Sequence, residues 1–147
     1  MSSSEINPTN GDTLNKLKSL TPGEPIAAFL NIQTLELSPG YAKVSMLVRP
    51  EYMNFNNFIF GGMIAAVADQ AFALAANSLT IPSIASQFNI HFLNAAAVGD
   101  QLIAEGRVLK NGRRAGVSEM TVTNQDGKLI AKATGTTIPL TEDGKHL

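Results

Sequence analysis

One carboxylate, Asp69, sits in the middle of an otherwise almost wholly apolar run, FIFGGMIAAVADQAFALAANS, from Phe58 to Ser78. An ionised carboxylate withdrawn from water without a partner is costly or takes up a proton. Asp69 therefore needs either a structural partner, such as backbone amides or a hydroxyl from a neighbouring strand or subunit, or a task as general base or nucleophile in a cleft. The run opens on Phe60-Gly61-Gly62. At the start of a helix the first amides have no intrahelical acceptor and the dipole favours negative charge, so a carbonyl oxygen can sit there. Glycine lets a ligand approach the backbone closely, while a tight loop-to-helix turn accounts for the same residues. Asp69 lies two turns beyond Gly62, about 10 Å of rise. An extended substrate must join them, or Asp69 acts from a partner subunit's side of the cleft.

Other chemistries lack their parts. Gly116-Val117-Ser118-Glu119-Met120 misses the final glycine of a nucleophile elbow, which leaves Ser118 an ordinary strand residue. There is neither a P-loop nor a dinucleotide fingerprint. His91 and His146 are the only histidines, too few for a histidine metal site or a Ser-His-Asp triad, and His91 reads as a surface or interface residue. The chain has no Cys, which excludes disulfides and thiolate chemistry and fits the cytoplasm. Eleven Lys plus Arg against twelve Asp plus Glu leave a charge of -1, no footprint for nucleic acid or an anionic membrane.

The elements that must position these residues follow from periodicity. The 147 residues suit one domain, expected over 13–147 behind a flexible tail, 1–12, whose sequence MSSSEINPTNGD has no secretion signal. Met63 to Ala76 is too short to span a membrane and carries Asp69 and Gln70, so a soluble helix is expected, ending near Ser78 to Pro82. Leu14, Leu17 and Leu20 predict a short cover helix, whereas Ile26 to Leu30 fits helix or strand. Ile32–Leu37 and Tyr41–Arg49 predict a hairpin with Ala42, Val44, Met46 and Val48 on one face. From Ser83 the period becomes two, with Ile84, Phe88, Ile90 and Phe92 on one face and Ala85, Gln87, Asn89 and His91 on the other. Turns at Val98-Gly99-Asp100, Asn111-Gly112 and Asp126-Gly127 then predict a meander of four strands. The class is α+β: a long central helix wrapped by a curved antiparallel sheet.

Asn54, Phe60-Gly61-Gly62, Ala68-Asp69-Gln70-Ala71-Phe72, Asn89-Ile90-His91-Phe92-Leu93, Gly99-Asp100 and Asp126-Gly127-Lys128 together resemble a hotdog-fold acyl-CoA thioesterase. The nearest type is that of the phenylacetate-pathway (PaaI-like) thioesterases, in the 4-hydroxybenzoyl-CoA thioesterase superfamily, and the likeness runs from about Gly23 to Leu140. The resemblance implies hydrolysis of an acyl-CoA or aryl-CoA thioester, with no cofactor beyond the coenzyme A of the substrate. It also implies homodimers or homotetramers with active sites at the dimer interface. By the same resemblance Asp69 is base or nucleophile, the Gly62 amide polarises the carbonyl, and Asn54 places water or substrate. Phe60 and Gly61 adjoin the substrate, and Gln87 or Asn89 stands where related enzymes place a polar helper. Lys110, Arg113 and Arg114 form either a phosphate rim or a solvated hairpin tip. The family signature reads His-Gly-Gly, and Phe60 replaces its histidine with a ring that neither donates nor accepts. That substitution implies impaired or altered hydrolysis, with a non-hydrolytic acyl-CoA binder or sensor as the alternative. A dehydratase of the same fold carries less weight, because those enzymes pair a histidine with the acid.

Overall fold

The computed structural model describes residues 10–141 and 143. Proline at the start of a helix sacrifices no hydrogen bond, and asparagine can end one in left-handed backbone. The ambiguous Ile26 to Leu30 segment accordingly folds as helix α2 (Pro25–Leu30), closed by Asn31 at φ 53, whose N–H donates to the Ala27 and Ala28 carbonyls. Before it, α1 (Asn10–Leu20) buries Leu17 as the expected cover helix. It begins at Asn10, inside the stretch expected as a tail; residues 1–9 of that tail, and His146, lie outside the described residues.

The hairpin pairs β1 (Gln33–Ser38) with β2 (Tyr41–Leu47) through a turn in which Gly40 takes φ 75. Ala42, Val44, Met46 and Val48 are buried, as the alternation requires. After a 3₁₀ turn at Pro50–Tyr52 comes α3 (Gly61–Asn77), then β3 (Ser83–Phe92), β4 (Gln101–Asn111), β5 (Gly116–Thr123) and β6 (Leu129–Pro139). All six strands form one antiparallel sheet in the order β1-β2-β4-β5-β6-β3, and every strand touches α3. A long helix embraced by a sheet is thus the observed architecture. No helix among the described residues is long and apolar enough to cross a membrane.

Two expectations are corrected. The last four strands are not a meander: β3 pairs with β6 at the sheet edge, while β4 pairs with β2. The connection between β3 and β4 is anchored at two places. Leu93 N–H donates to the Ile130 carbonyl, whereas Gly99 N–H donates to Val48 and Val48 N–H to Asp100, which steers β4 to β2. The second correction concerns Ile84. Directly paired residues share a face, and the register shifts between Ala85 and Gln87. Phe88, Ile90 and Phe92 pair with Gly135, Ala133 and Ala131 on the helix side, but beyond the shift it is Ala85 that pairs with buried Thr137. Ile84 pairs with Ile138 on the outer face. One bulged residue inverts the alternation.

Two glycines let α3 lie close against the sheet. A Cβ on Gly106 of β4 would stand 2.6 Å from the Ala71 carbonyl oxygen, and one on Gly135 of β6 would stand 2.5 Å from the Phe72 ring. Phe72 is fully buried and packs against Phe88 with ring centroids 6.1 Å apart. Gly106→Ala sets a methyl against helix backbone that cannot rotate away. It is expected to lower stability by about 1 to 3 kcal/mol, read as a lower urea midpoint at unchanged slope. An unchanged midpoint would show that the helix-to-sheet contact is looser than described.

Candidate active site

Backbone amides at the first turn of a helix stay unsatisfied unless something caps them. α3 has no side-chain cap. The Phe60 carbonyl accepts the Met63 N–H at 2.9 Å, and Phe60 N–H donates to the Tyr52 carbonyl at 2.8 Å, so the chain is pinned on both sides of the turn. Among the described residues the N–H groups of Gly61 and Gly62 find no acceptor. Two aromatic rings flank them. A Cβ on Gly62 would lie 2.5 Å from Phe60 Cε1, and one on Gly61 would lie 3.2 Å from Phe92 Cζ. A side chain at either position would have to displace a neighbouring ring. Both rings remain more than half exposed, at 59% for Phe60 and 52% for Phe92.

Asn54 organises the loop ahead of the helix. Its Oδ1 accepts the N–H groups of Asn56 (2.9 Å) and Phe58 (3.2 Å), its own N–H donates to the Phe58 carbonyl, and its carbonyl accepts Asn57 N–H. Asparagine suits this position because its short side chain mimics a backbone turn. Asn57 takes φ 62, and Met53 bridges to Ile59, so the loop closes on itself and delivers Phe60 to the helix. With its oxygen engaged, the Asn54 side chain keeps an NH₂ group that has no hydrogen-bond partner among the described residues.

Asp69 is placed differently from what an apolar helix suggested. The sheet covers Ile64, Val67, Ala68, Ala71, Phe72 and Ala75, but a stripe through Gly62, Asp69 and Ala73 stays exposed in the single chain. Asp69 is thus on an open helix face, not enclosed. Among the described residues its carboxylate has no hydrogen-bond or ionic partner. The surrounding protein still displaces enough water to push its pKa above the ordinary aspartate value. Its neighbour Gln70 is held from the other side, donating through Nε2 to Glu24 Oε2 at 3.1 Å.

The remaining candidates are spread over the molecule. Gln87 and Asn89 project from the outer face of β3, with Thr136 Oγ1 donating to Gln87 Oε1 at 3.4 Å and Asn89 beside His91, Glu119 and Lys132. Lys110 lies near Thr80 and Ser83, past the far end of α3, and Arg113 and Arg114 extend from the same turn. The helix between them and Gly61 rises roughly 24 Å. Gly61, Gly62, Phe60 and Asn54 are thus brought together at one end, Asp69 stands on the open helix face, and the three cations lie at the opposite end of the same chain. Ser118 is 1% exposed and faces inward on β5, out of reach of a substrate. Phe92 was missed as a site residue. The alternation of β3 only set it on one face with Phe88 and Ile90, and its place at the end of an edge strand leaves its ring at the helix start.

Comparison with known proteins gives this arrangement a context. The sequence model described as Thioesterase superfamily matches residues 56–131, just over half of the chain, from the last part of the loop through α3, β3, β4 and β5 into the start of β6. The acyl-coenzyme A thioesterase PaaI of Escherichia coli is 34% identical over 105 residues, spanning 71% of this chain and 75% of that protein. The structure of E. coli PaaI, from the phenylacetic acid degradation operon, superposes with a TM-score of 0.84 at 28% identity, covering 90% of this chain and 96% of that one. A Streptococcus mutans protein solved bound to acetyl CoA gives a TM-score of 0.73 at 31% identity, covering 81% and 94%. Matching in sequence through the site and in fold over most of its length, this chain belongs to the thioesterase superfamily and is a PaaI-like enzyme of the hotdog fold.

Proposed function

We propose that the protein hydrolyses an acyl-CoA or aryl-CoA thioester to the free acid and coenzyme A. The carbonyl oxygen takes the unpartnered amide of Gly62, with that of Gly61 beside it, and polarisation makes the carbonyl carbon electrophilic. Asp69 acts as base, removing a proton from the attacking water, or as nucleophile through an acyl-enzyme anhydride that water then opens. In either case the C–S bond breaks and the thiolate leaves with a proton. Asn54, its oxygen fixed in the loop, presents its NH₂ to water or substrate. Phe60 borders the acyl group, and coenzyme A enters only as part of the substrate. The observation that carries this reading is the pair of free amides at the start of a helix whose open face bears an unpartnered carboxylate with raised proton affinity.

Gly62 and Asp69 of one helix are about 10 Å apart in rise, too far to meet on one carbonyl. β3 is one of the two edge strands of the sheet, and Phe92 at its end lies against Gly61 at the start of that helix. Two chains joined antiparallel across β3 would lay their α3 helices side by side, with Asp69 of one copy facing the Gly62 end of the other. The enzyme is therefore proposed to work as a homodimer, or as a homotetramer built from such dimers, in the cytoplasm. Thiol release from a panel of aryl- and acyl-CoAs tests the activity: wild type turns over at least one, and Asp69→Ala does not. Equal residual rates for the two proteins on every substrate would remove the assignment.

A second reading has its own observation. The Phe60 ring, rather than a polar side chain, lies against Gly62. A site apolar at that point suits an acyl-CoA binder that does not hydrolyse. Calorimetric binding of intact acyl-CoA without thiol release supports that reading, and rapid hydrolysis excludes it.

A further inference from the structure

We infer that the far end of the acyl group rests in the hollow between α2 and the start of β1 on the chain that supplies Asp69, and that Gln70, oriented by Glu24, selects acyl groups ending in a hydrogen-bond donor. This rests on the thioesterase reading above and assigns specificity within it. The hollow, of about 320 Å³, has Pro22, Ala27, Ala28 and Ile32 among its walls, with Gln70 facing it from α3. Apolar walls interrupted by a few polar side chains, at that volume, suit the end of a small organic ligand.

The path from the reacting carbonyl is short. Gln70 directly follows Asp69, so its side chain leaves α3 roughly 100° further round. That turns it off the open stripe and towards α2, where it meets Glu24. The residues that neighbour both Asp69 and Gln70 at helical spacing are Ala66 and Ala73. Ala73 is exposed and Ala66 half-buried, and their methyl groups leave a low saddle between the Asp69 carboxylate and the hollow. An acyl group attacked beside Asp69 crosses that saddle to reach Gln70.

One bond sets what the hollow selects. Gln70 Nε2 donates to Glu24 Oε2 at 3.1 Å. A carboxylate only accepts, so it fixes the amide with its NH₂ group towards Glu24 and leaves Gln70 Oε1 as the atom offered to a ligand. Among the described residues neither that oxygen nor Glu24 Oε1 has a hydrogen-bond partner. Asn31 and Gln33 are exposed and bond to each other at 3.0 Å, which leaves the half-buried pair of Gln70 and Glu24 as the polar end of the hollow. Two adjacent acceptors match a hydroxyl or another donor. They repel a carboxylate, whose charge would face Glu24.

Thioesters that differ only at the far end test this: hexanoyl-CoA, 6-hydroxyhexanoyl-CoA and adipyl-CoA. Wild type is expected to favour 6-hydroxyhexanoyl-CoA over hexanoyl-CoA in kcat/KM by roughly 2- to 10-fold, the scale of one neutral hydrogen bond, and to disfavour adipyl-CoA by about tenfold or more. Gln70→Leu removes the acceptor and is expected to bring the hydroxyl preference to about one, whereas Glu24→Gln removes the charge and is expected to lift the adipyl penalty. Each variant is read as a ratio of rates within one protein, so any loss of folded enzyme cancels. A wild type that treats the thioesters alike, a Gln70→Leu protein that keeps the hydroxyl preference, or a Glu24→Gln protein that keeps the adipyl penalty overturns the inference and leaves the thioesterase reading in place. If wild type hydrolyses none of them, calorimetric affinities of the Asp69→Asn protein for the same thioesters decide. The expected ordering there supports the hollow as the acyl subsite, and a flat ordering or no binding overturns it.

Discussion

Asp69→Asn is expected to lower kcat by about 10²- to 10⁴-fold, the usual contribution of a positioned general base, while coenzyme A still binds. The amide keeps the size of the carboxylate and the helix keeps its open face, so the loss reports the charge alone. In wild type the acid limb of kcat/KM should lie above the ordinary aspartate range of about 4, because the surrounding protein displaces water from the carboxylate and raises the Asp69 pKa. The same shift carries a stability signature with a definite sign. The folded state holds this proton more tightly than the unfolded state. Its contribution to stability is therefore full below the unfolded pKa and is lost as pH rises through the raised value. Asp69→Asn should consequently melt higher than wild type at neutral pH, with the difference closing as the solution is acidified towards the unfolded value. A variant that loses activity and also loses stability at neutral pH would instead point to a structural role for the carboxylate.

Phe60→His is expected to raise kcat, by up to about 10²- to 10³-fold, the scale of one well-placed electrostatic donor. The ring is 59% exposed and lies against the Gly62 backbone, so an imidazole can take its place with little repacking. It would add an N–H donor beside the amides, at the position where the resemblance implies a histidine. Phe60→Ala serves as the control, since it removes the ring without adding a donor. A gain with histidine but not with alanine identifies the missing donor as the limit on turnover. If histidine gives no gain and alanine raises KM for bulky acyl groups, the ring serves acyl binding instead, and this enzyme has traded a donor for apolar contact.

Much of this was legible in the residues. The helix from Gly61 was visible because Gly61-Gly62 punctuates an apolar run, and the β1–β2 hairpin was visible because Ala42, Val44, Met46 and Val48 alternate without interruption. β4–β5 and β5–β6 were readable from Asn111-Gly112 and Asp126-Gly127, since short turns force neighbouring strands together. The partner of β3 was not readable. Eight residues separate it from β4, and nothing local says that Leu93 will bond to Ile130 while Gly99 bonds to Val48. Ile84 was misplaced for a similar reason: a bulge is a feature of pairing, and a strand read alone shows only its alternation.

The sequence by itself determined the chemistry on offer, namely a lone acid two turns from a glycine-led helix start, with no cysteine and too few histidines for the usual rivals. It also determined the local elements, because propensity, turn type and period act over a few residues. Only the tertiary structure decided that the Gly61 and Gly62 amides find no acceptor among the described residues, that Asp69 lies on an uncovered face, and that Lys110, Arg113 and Arg114 stand at the far end of α3 from those amides. Those outcomes depend on which surfaces meet across long stretches of chain. Gly106 and Gly135 set how closely the helix seats on the sheet, and the strand order sets which edge and which helix face remain open.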